Sequence, residues 1–351
     1  MTDLFWPGDQ RAGELMSDGA FLMAMLAVEQ AWLDGLVAAG IAPAEARVNL
    51  TDQLADGDAE AIADGADADG NPVTGLVALL RRRTPEPTAR WLHRGMTSQD
   101  VIDTALMLCV RDVLARIGNE LASQMRTLSG LAETHRDTPM VARTLTQAAL
   151  PSTVGVKVAH WLSGVIEAAE PVAGLRASLP AQIGGAAGTL AAATELTGSV
   201  DGAIALSDAL AAALRLAPAP PWHTTRSTVT RIGDALVTCC DAWGHIASDV
   251  ATGSRPEMGE LVEGEGGGSS TMPHKSNPIR SVLIRRAALT GLRVDAARAA
   301  ANLATAGGVL SEQQTMTELT GRAAISGYTG VAEQLVDSVL QRARHYLKDT
   351  P

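Results

Sequence analysis

The sequence predicts an all-α protein, an elongated bundle of long helices behind a smaller N-terminal helical domain. Three observations predict it. Aromatic residues make up 3% of the 351 residues, with Phe and Tyr occurring twice each, while Ala, Leu and Val are abundant; this is a composition of close-packed helices rather than strands. Apolar residues recur at 106, 110, 113, 114, 117, 121, 128 and 131, the three-and-four spacing of one helix face. The same periodicity then returns several times down the chain, interrupted by Gly- and Pro-rich breaks.

Taken in order, residues 1–100 show short, less regular helical patterns and form the N-terminal domain. Within them the acidic, Gly/Asp-rich stretch 56–71 reads as a solvated loop. A long helix over 101–135 opens the central domain, 101–351. Further helical patterns run through 151–176, 190–216, 229–255, 279–305 and 318–347, with breaks at 179–188, at 217–222 and at a loop of about 263–278. Long helices joined this way build a bundle. No fixed-period repeat is visible.

Composition narrows the function. A net charge of −11 argues against nonspecific nucleic-acid binding. No uninterrupted apolar run approaches the roughly 20 residues of a membrane helix, and the opening segment lacks a leader pattern, so a soluble cytoplasmic protein is expected. Of the three cysteines, Cys239 and Cys240 are adjacent in an apolar stretch, which fits buried thiols in a reducing compartment. His135, His160, His245 and His345 show no partner at ligand spacing, so neither metal nor organic cofactor is expected.

Four regions carry chemistry. The loop Gly266-Gly267-Gly268-Ser269-Ser270-Thr271-Met272-Pro273-His274-Lys275-Ser276-Asn277-Pro278 joins a flexible glycine entry to a proline-stiffened exit, which suits a lid. A nucleotide phosphate loop would need glycine where His274 stands, and a plain linker has no use for the Met272–Pro278 tail. Lys275 is one of three lysines, with Lys157 and Lys348, against twenty-five arginines, so a compact ammonium here is no default choice. The second region runs from His93 to Thr104. Thr97, Ser98 and Asp100 can cap the long helix there, and its free N–H groups favour an anion. In the third, Arg143, Thr144 and Gln147 supply the donors a carboxylate wants. The fourth pairs the glycine string 184–188 with the segment Pro221-Trp222-His223-Thr224-Thr225-Arg226. Trp222 reads as core.

These strings resemble the fumarase/aspartase superfamily. GSSTMPHKSNP is similar to its GSSxMPxKxNP loop, HRGMTSQD to its HxGxTSxD region, and ARTLTQAALPSTVG to its GRTHxQxAxPxTxG pattern. Leu145 stands where many of its lyases carry an acid/base histidine, and leucine cannot move protons. The superfamily's carboxymuconate cycloisomerases also lack that histidine, and QDVIDTAL, GGAAGTL and PWHTTR resemble their segments. Ser227 replaces the aspartate often following the arginine of the last string, which leaves the orientation of Arg226 open.

The resemblance implies a fold of the fumarase/aspartase type without a full C-terminal domain, since about seventy residues follow the loop. It implies closure of 3-carboxy-cis,cis-muconate to 4-carboxymuconolactone, a step of the protocatechuate branch of aromatic degradation. A carboxylate oxygen attacks one double-bond carbon and the neighbouring carbon takes a proton. Charge gathers as an enolate-like dianion that fixed donors and cations must stabilise. Ser269 is the implied acid/base, with Lys275 and His223 as further proton donors. His93, Thr97, Ser98, Gln99, Arg143, Thr144, Gln147, Arg226, Ser270, Met272 and Asn277 are the implied contacts of a tricarboxylate substrate. The resemblance also implies a homotetramer with sites shared between subunits. Two alternatives stand beside it: another lyase of the superfamily releasing fumarate from a succinyl compound such as adenylosuccinate, and a non-catalytic helical oligomer. Leu145 and PWHTTR speak against the first, and the intact Ser269, Lys275 and Asn277 against the second.

Overall fold

The long helices Ser98–Thr134, Val154–Ser178 and Ser227–Gly253 form near where the periodicity places them, and other stretches depart from it. A computed structural model of the chain describes residues 4, 7–264, 267–292 and 332–348. The chain folds as two compact units, one of residues 1–116 and 173–231, the other of residues 117–172 and 232–351.

In the first unit α1 (Asp18–Ala38) opens on Ser17, whose side chain accepts the Ala20 N–H, satisfying one of the orphan donors of the first turn. By length and composition α1 is apolar enough to cross a membrane, a property that the periodicity alone does not announce. It is instead a core helix: Trp32, Leu33 and Leu36 are buried, and so is Glu29. Each such apolar side chain contributes about 1.5–3 kcal/mol of burial. α1 packs on α8 (Val200–Leu214), where Gly35 lies so close to Leu206 that an added Cβ would stand 3.1 Å from it.

Residues 56–71 correct the loop expectation, because Asp58–Asp69 is a helix, α2. Gly57 and Gly70 bound it in left-handed conformations, Ile62 is buried, and Asp58 forms a two-pronged ion pair with Arg83 at the end of α3 (Val73–Arg83). Short α4 (Thr88–Trp91) leads to α5 (Ser98–Thr134), the long helix the periodicity foretells. The pattern over 190–216 resolves into two helices, α7 (Ala191–Thr197) and α8, separated at Gly198-Ser199.

The second unit holds the later part of α5, most of α6 (Val154–Ser178) and of α9 (Ser227–Gly253), and α10 (Ile279–Leu292) and α11 (Ala332–Lys348). Trp243 on α9 donates to Gln124 on α5 at 2.8 Å, and Tyr346 on α11 donates to the Ala169 carbonyl at 3.1 Å. Between α5 and α6 lies an antiparallel hairpin, β1 (Pro139–Thr144) and β2 (Gln147–Thr153). The expected helical pattern from 151 therefore starts at Val154. The sequence patterns beyond Leu292 and before Ala332 lie outside the described residues.

Candidate active site

The start of α5 is built around one buried carboxylate. Asp100, with no exposed surface, accepts the Thr97 N–H at 3.0 Å, returning the cap onto the helix start. It also accepts Gln182 Nε2 at 3.1 Å and the N–H groups of Gly184 and Gly185 at 2.9 Å each. Its capacity as an acceptor is thus spent on structure. Thr104 exchanges two 2.9 Å hydrogen bonds with the Gln182 backbone, and the Gln182 side-chain oxygen accepts the Trp222 N–H. The capping role expected of TSQD holds for Asp100. The side chains of Thr97, Ser98 and Gln99 are half-buried and make no hydrogen bond to the described residues, so their polar atoms remain for a ligand.

The segment before this cap is held by α1 and α3. Trp32 Nε1 donates to the Arg94 carbonyl at 2.8 Å, and Arg81 donates to the Leu92 carbonyl at 2.9 Å. His93 sits between these anchors at φ +60, a conformation uncommon outside glycine, with Nδ1 2.6 Å from Glu29 Oε1.

At the other end of this unit's polar cluster Arg226 grips Asp103, Nη1 to Oδ2 at 2.7 Å and Nη2 to Oδ1 at 3.0 Å. Its guanidinium also lies 5.4 Å from the centre of the Trp222 ring. Hydrogen bonding to Asp103 pushes the Arg226 pKa further up. Asp103 therefore supplies the orientation that Ser227 cannot, and two guanidinium nitrogens are committed to it. His223 packs on Gly188, where a Cβ would overlap the imidazole, and its Nδ1 is buried without a partner among the described residues. Trp222 is core, as its sequence setting suggests.

In the second unit the hairpin carries Arg143 on β1 and Gln147 on β2, with Thr144 and Gln147 paired across the turn. Leu145 and Thr146 form that turn at φ 46 and 69, and Leu145 is 84% exposed. The structure places no proton-transfer group at this position. Arg143 donates to Glu260 at 2.6 Å, and this bond raises its pKa.

The glycine-rich loop is closed at its base by reciprocal backbone hydrogen bonds, Gly267 N–H to Asn277 O at 2.8 Å and Asn277 N–H to Gly267 O at 2.9 Å. Gly266, the first residue of the motif, lies outside the described residues. Inside the loop Ser269 Oγ accepts the N–H groups of Thr271 at 3.3 Å and Met272 at 3.1 Å, and Asn277 Nδ2 donates to the Gly268 carbonyl. Ser270 pairs with Thr271. After the loop, α10 is capped from a distance: Glu263 accepts the N–H groups of Arg280 and Ser281 and the Ser281 hydroxyl at 2.8–2.9 Å. Burial pushes the Glu263 pKa up, but these donors outweigh it and hold the carboxyl below its ordinary value.

Beside the loop a cleft of about 550 Å³ is lined by Met272, Lys275 and Asn277, with Arg255 and Glu263 across it. Lys275 and Arg255 outnumber the Glu263 carboxylate, which stays charged under its donors, so the lining suits an anion. Sequence alone does not single out Arg255, because an arginine just past a helix end carries no motif of its own. Glu29 and Gln182 escape notice for a similar reason, being polar residues without a motif in apolar stretches, while Asp103 lies within QDVIDTAL but has no role of its own there. His245, expected to lack an acidic partner, meets Asp249 four residues on at 3.3 Å, where Lys157 Nζ (3.0 Å) and Trp161 Nε1 (2.8 Å) also converge.

A protein-family profile described as Lyase matches residues 26–290. Over 285 residues the chain is 41% identical to a nitrosuccinate lyase of Streptomyces davaonensis, covering 78% of this chain and 60% of that protein. It is 38% identical over 272 residues to a 3-carboxy-cis,cis-muconate cycloisomerase of Bradyrhizobium diazoefficiens, covering 75% of this chain and 59% of that protein. The crystal structure of a 3-carboxy-cis,cis-muconate lactonizing enzyme from Pseudomonas putida matches with a TM-score of 0.70 at 29% identity, over 95% of this chain and 72% of that one. The chain spans about 60% of the length of the curated relatives it matches.

Proposed function

The chain belongs to the lyase family, within the fumarase/aspartase superfamily, and from that premise we propose that it closes 3-carboxy-cis,cis-muconate to 4-carboxymuconolactone. The observation that carries the reading is the Ser269 hydroxyl, which receives two backbone N–H groups inside a loop that also bears Lys275. Donors aimed at an oxygen favour its anion, so Ser269 is the group able to pass a proton at the carbon beside a carboxylate. In lactonisation a substrate carboxylate oxygen bonds to one alkene carbon, the alkene electron pair moves through the neighbouring carbon into its carboxylate as an enolate-like dianion, and that neighbouring carbon then takes the proton. No atom is lost. The residues that would hold the three carboxylates are contributed by different subunits: Lys275 and Asn277 of the loop, Arg143, Thr144 and Gln147 of the hairpin, and His93, Thr97, Ser98, Gln99 and Arg226 of the α5 region. Ser270 and Met272 shape the loop around them, and His223 is a further proton donor. The acting form is a cytoplasmic homotetramer with sites shared between subunits.

A second reading is favoured by the 41% identity to a nitrosuccinate lyase. The same Ser269 would remove the proton beside a carboxylate while nitrite leaves the adjacent carbon, giving fumarate. Leu145 is compatible with both reactions, since neither then relies on a base at the hairpin turn.

Purified protein offered 3-carboxy-cis,cis-muconate, nitrosuccinate and adenylosuccinate in parallel separates the readings. Loss of diene absorbance with the muconate supports the cycloisomerase, nitrite release identifies the second reading, and fumarate from adenylosuccinate alone overturns both.

A further inference from the structure

The structure points to Glu29 as the positioning residue of His93, and we propose that it fixes the imidazole so that Nε2 is the nitrogen presented to a substrate carboxylate. The inference rests on the proposed function only in taking His93 as a substrate contact.

Glu29 lies on α1, sixty-four positions from His93, and is wholly buried. A carboxyl group taken from water into an apolar helix interface is costly unless partnered. Among the described residues its single side-chain partner is His93 Nδ1 at 2.6 Å, and the other oxygen, Oε2, is buried with none. A stability role alone would be served better by an apolar residue, because a half-satisfied buried polar pair is worse than a hydrophobic one. The imidazole, by contrast, is 16% exposed, and its Nε2 has no hydrogen-bond partner among the described residues.

The backbone around it is built to the same end. His93 is held at φ +60 between the Leu92 carbonyl, tied to Arg81, and the Arg94 carbonyl, tied to Trp32. Gly95 follows at φ +92, where a Cβ would stand 2.9 Å from Leu196. Strain of this kind persists where the surroundings over-determine a conformation, and it gathers at functional sites. Two residues of α1, Glu29 and Trp32, thus set the ring and the backbone of the segment that ends in Thr97 and Ser98. Because the Nδ1 proton is shared with Glu29, the site-facing chemistry belongs to Nε2.

The test uses the full-length protein labelled with 15N-histidine, with His93→Asn to identify the His93 resonances. In the native protein the Nδ1 resonance shows a bound proton, and adding propane-1,2,3-tricarboxylate shifts the Nε2 resonance. In Glu29→Gln the amide can donate to Nδ1 instead, so the Nδ1 proton signature is lost. For whichever substrate the native enzyme turns over, kcat/KM falls about 100-fold, as expected when a contact group is misplaced by about 1 Å, while the melting temperature stays near native. If Glu29→Gln does not fold, Glu29→Asp, one methylene shorter, gives the same two effects. An unchanged Nδ1 signature, or a changed one with full kcat/KM, overturns the proposal. Absence of turnover on every substrate overturns the functional reading instead, and the two resonances with the tricarboxylate still decide the role of Glu29.

Discussion

Asp103 and Arg226, 123 positions apart, meet in a two-pronged ion pair in which the carboxylate is 1% exposed and the guanidinium 44% exposed. The asymmetry decides what each substitution does. Arg226→Ala leaves a buried charge uncompensated and should cost about 2 kcal/mol, below the cost of breaking a fully buried pair because the guanidinium is partly hydrated already. Asp103→Asn keeps a hydrogen-bonding oxygen and should cost less stability, while releasing the orientation of Arg226 and raising KM. Urea unfolding curves and steady-state kinetics on both variants check this. Equal destabilisation with unchanged KM would show that the pair is only structural.

Ser269→Ala removes the acceptor of two backbone N–H groups in an exposed loop. Loss of a proton-transfer group should lower kcat about 1,000-fold, with the melting temperature essentially unchanged. Single-turnover and thermal measurements on one preparation are sufficient, and full turnover would remove Ser269 from the mechanism.

Glu263 ties the segment before the loop to the start of α10, and its carboxyl is held below the ordinary value of 4.5. A depressed folded-state pKa means that the stabilisation is present above the unfolded value and is lost as pH falls through the folded one. Glu263→Gln should therefore cost about 1 kcal/mol at about pH 7, the scale of a helix cap, and the gap to the native protein should close below about pH 4. Denaturant midpoints at the two pH values measure it. A gap independent of pH would mean that the amide loses shape rather than charge.

Gly188 combines φ +70 with direct contact of its α-carbon region on the His223 ring. Gly188→Ala faces both the left-handed conformation and the imidazole, so it should destabilise by about 1–3 kcal/mol. It should also reduce kcat if His223 shares in proton transfer. A melting curve and a kcat measurement separate the two effects, and a variant as stable as the native protein would contradict the packing described.

How far the residues announce this arrangement depends on the range of the interaction. α5 is plain from its own spacing, because a helix face is a local repeat. Residues 56–71 read as loop because Asp and Gly are poor helix formers; they form α2 because left-handed glycines bound it and Arg83, twenty-five positions away, holds Asp58. The hairpin is hidden for the opposite reason, since its turn is Leu145-Thr146 rather than the Asn-Gly or Asp-Gly that positive φ usually demands. The loop residues Ser269, Lys275 and Asn277 are legible as a motif, and the structure adds the N–H groups on Ser269. The partners of His93 and Arg226 are not legible at all, because a buried Glu29 in an apolar helix and an Asp103 in an amphipathic one look like ordinary helical residues until the chain folds.

The scarcity of lysine has a practical consequence. Lys157 is engaged by Asp249 and lies near the Trp161 ring, whereas Lys275 and Lys348 are exposed. A protein of 351 residues thus offers an amine-reactive dye two open side chains, and replacing Lys348 by arginine leaves one. A fluorophore on Lys275 would sit in the signature loop itself and would remove the ammonium assigned to the substrate carboxylates, so protection of that amine by a bound tricarboxylate, read against labelling of the α-amine, would report contact between loop and ligand.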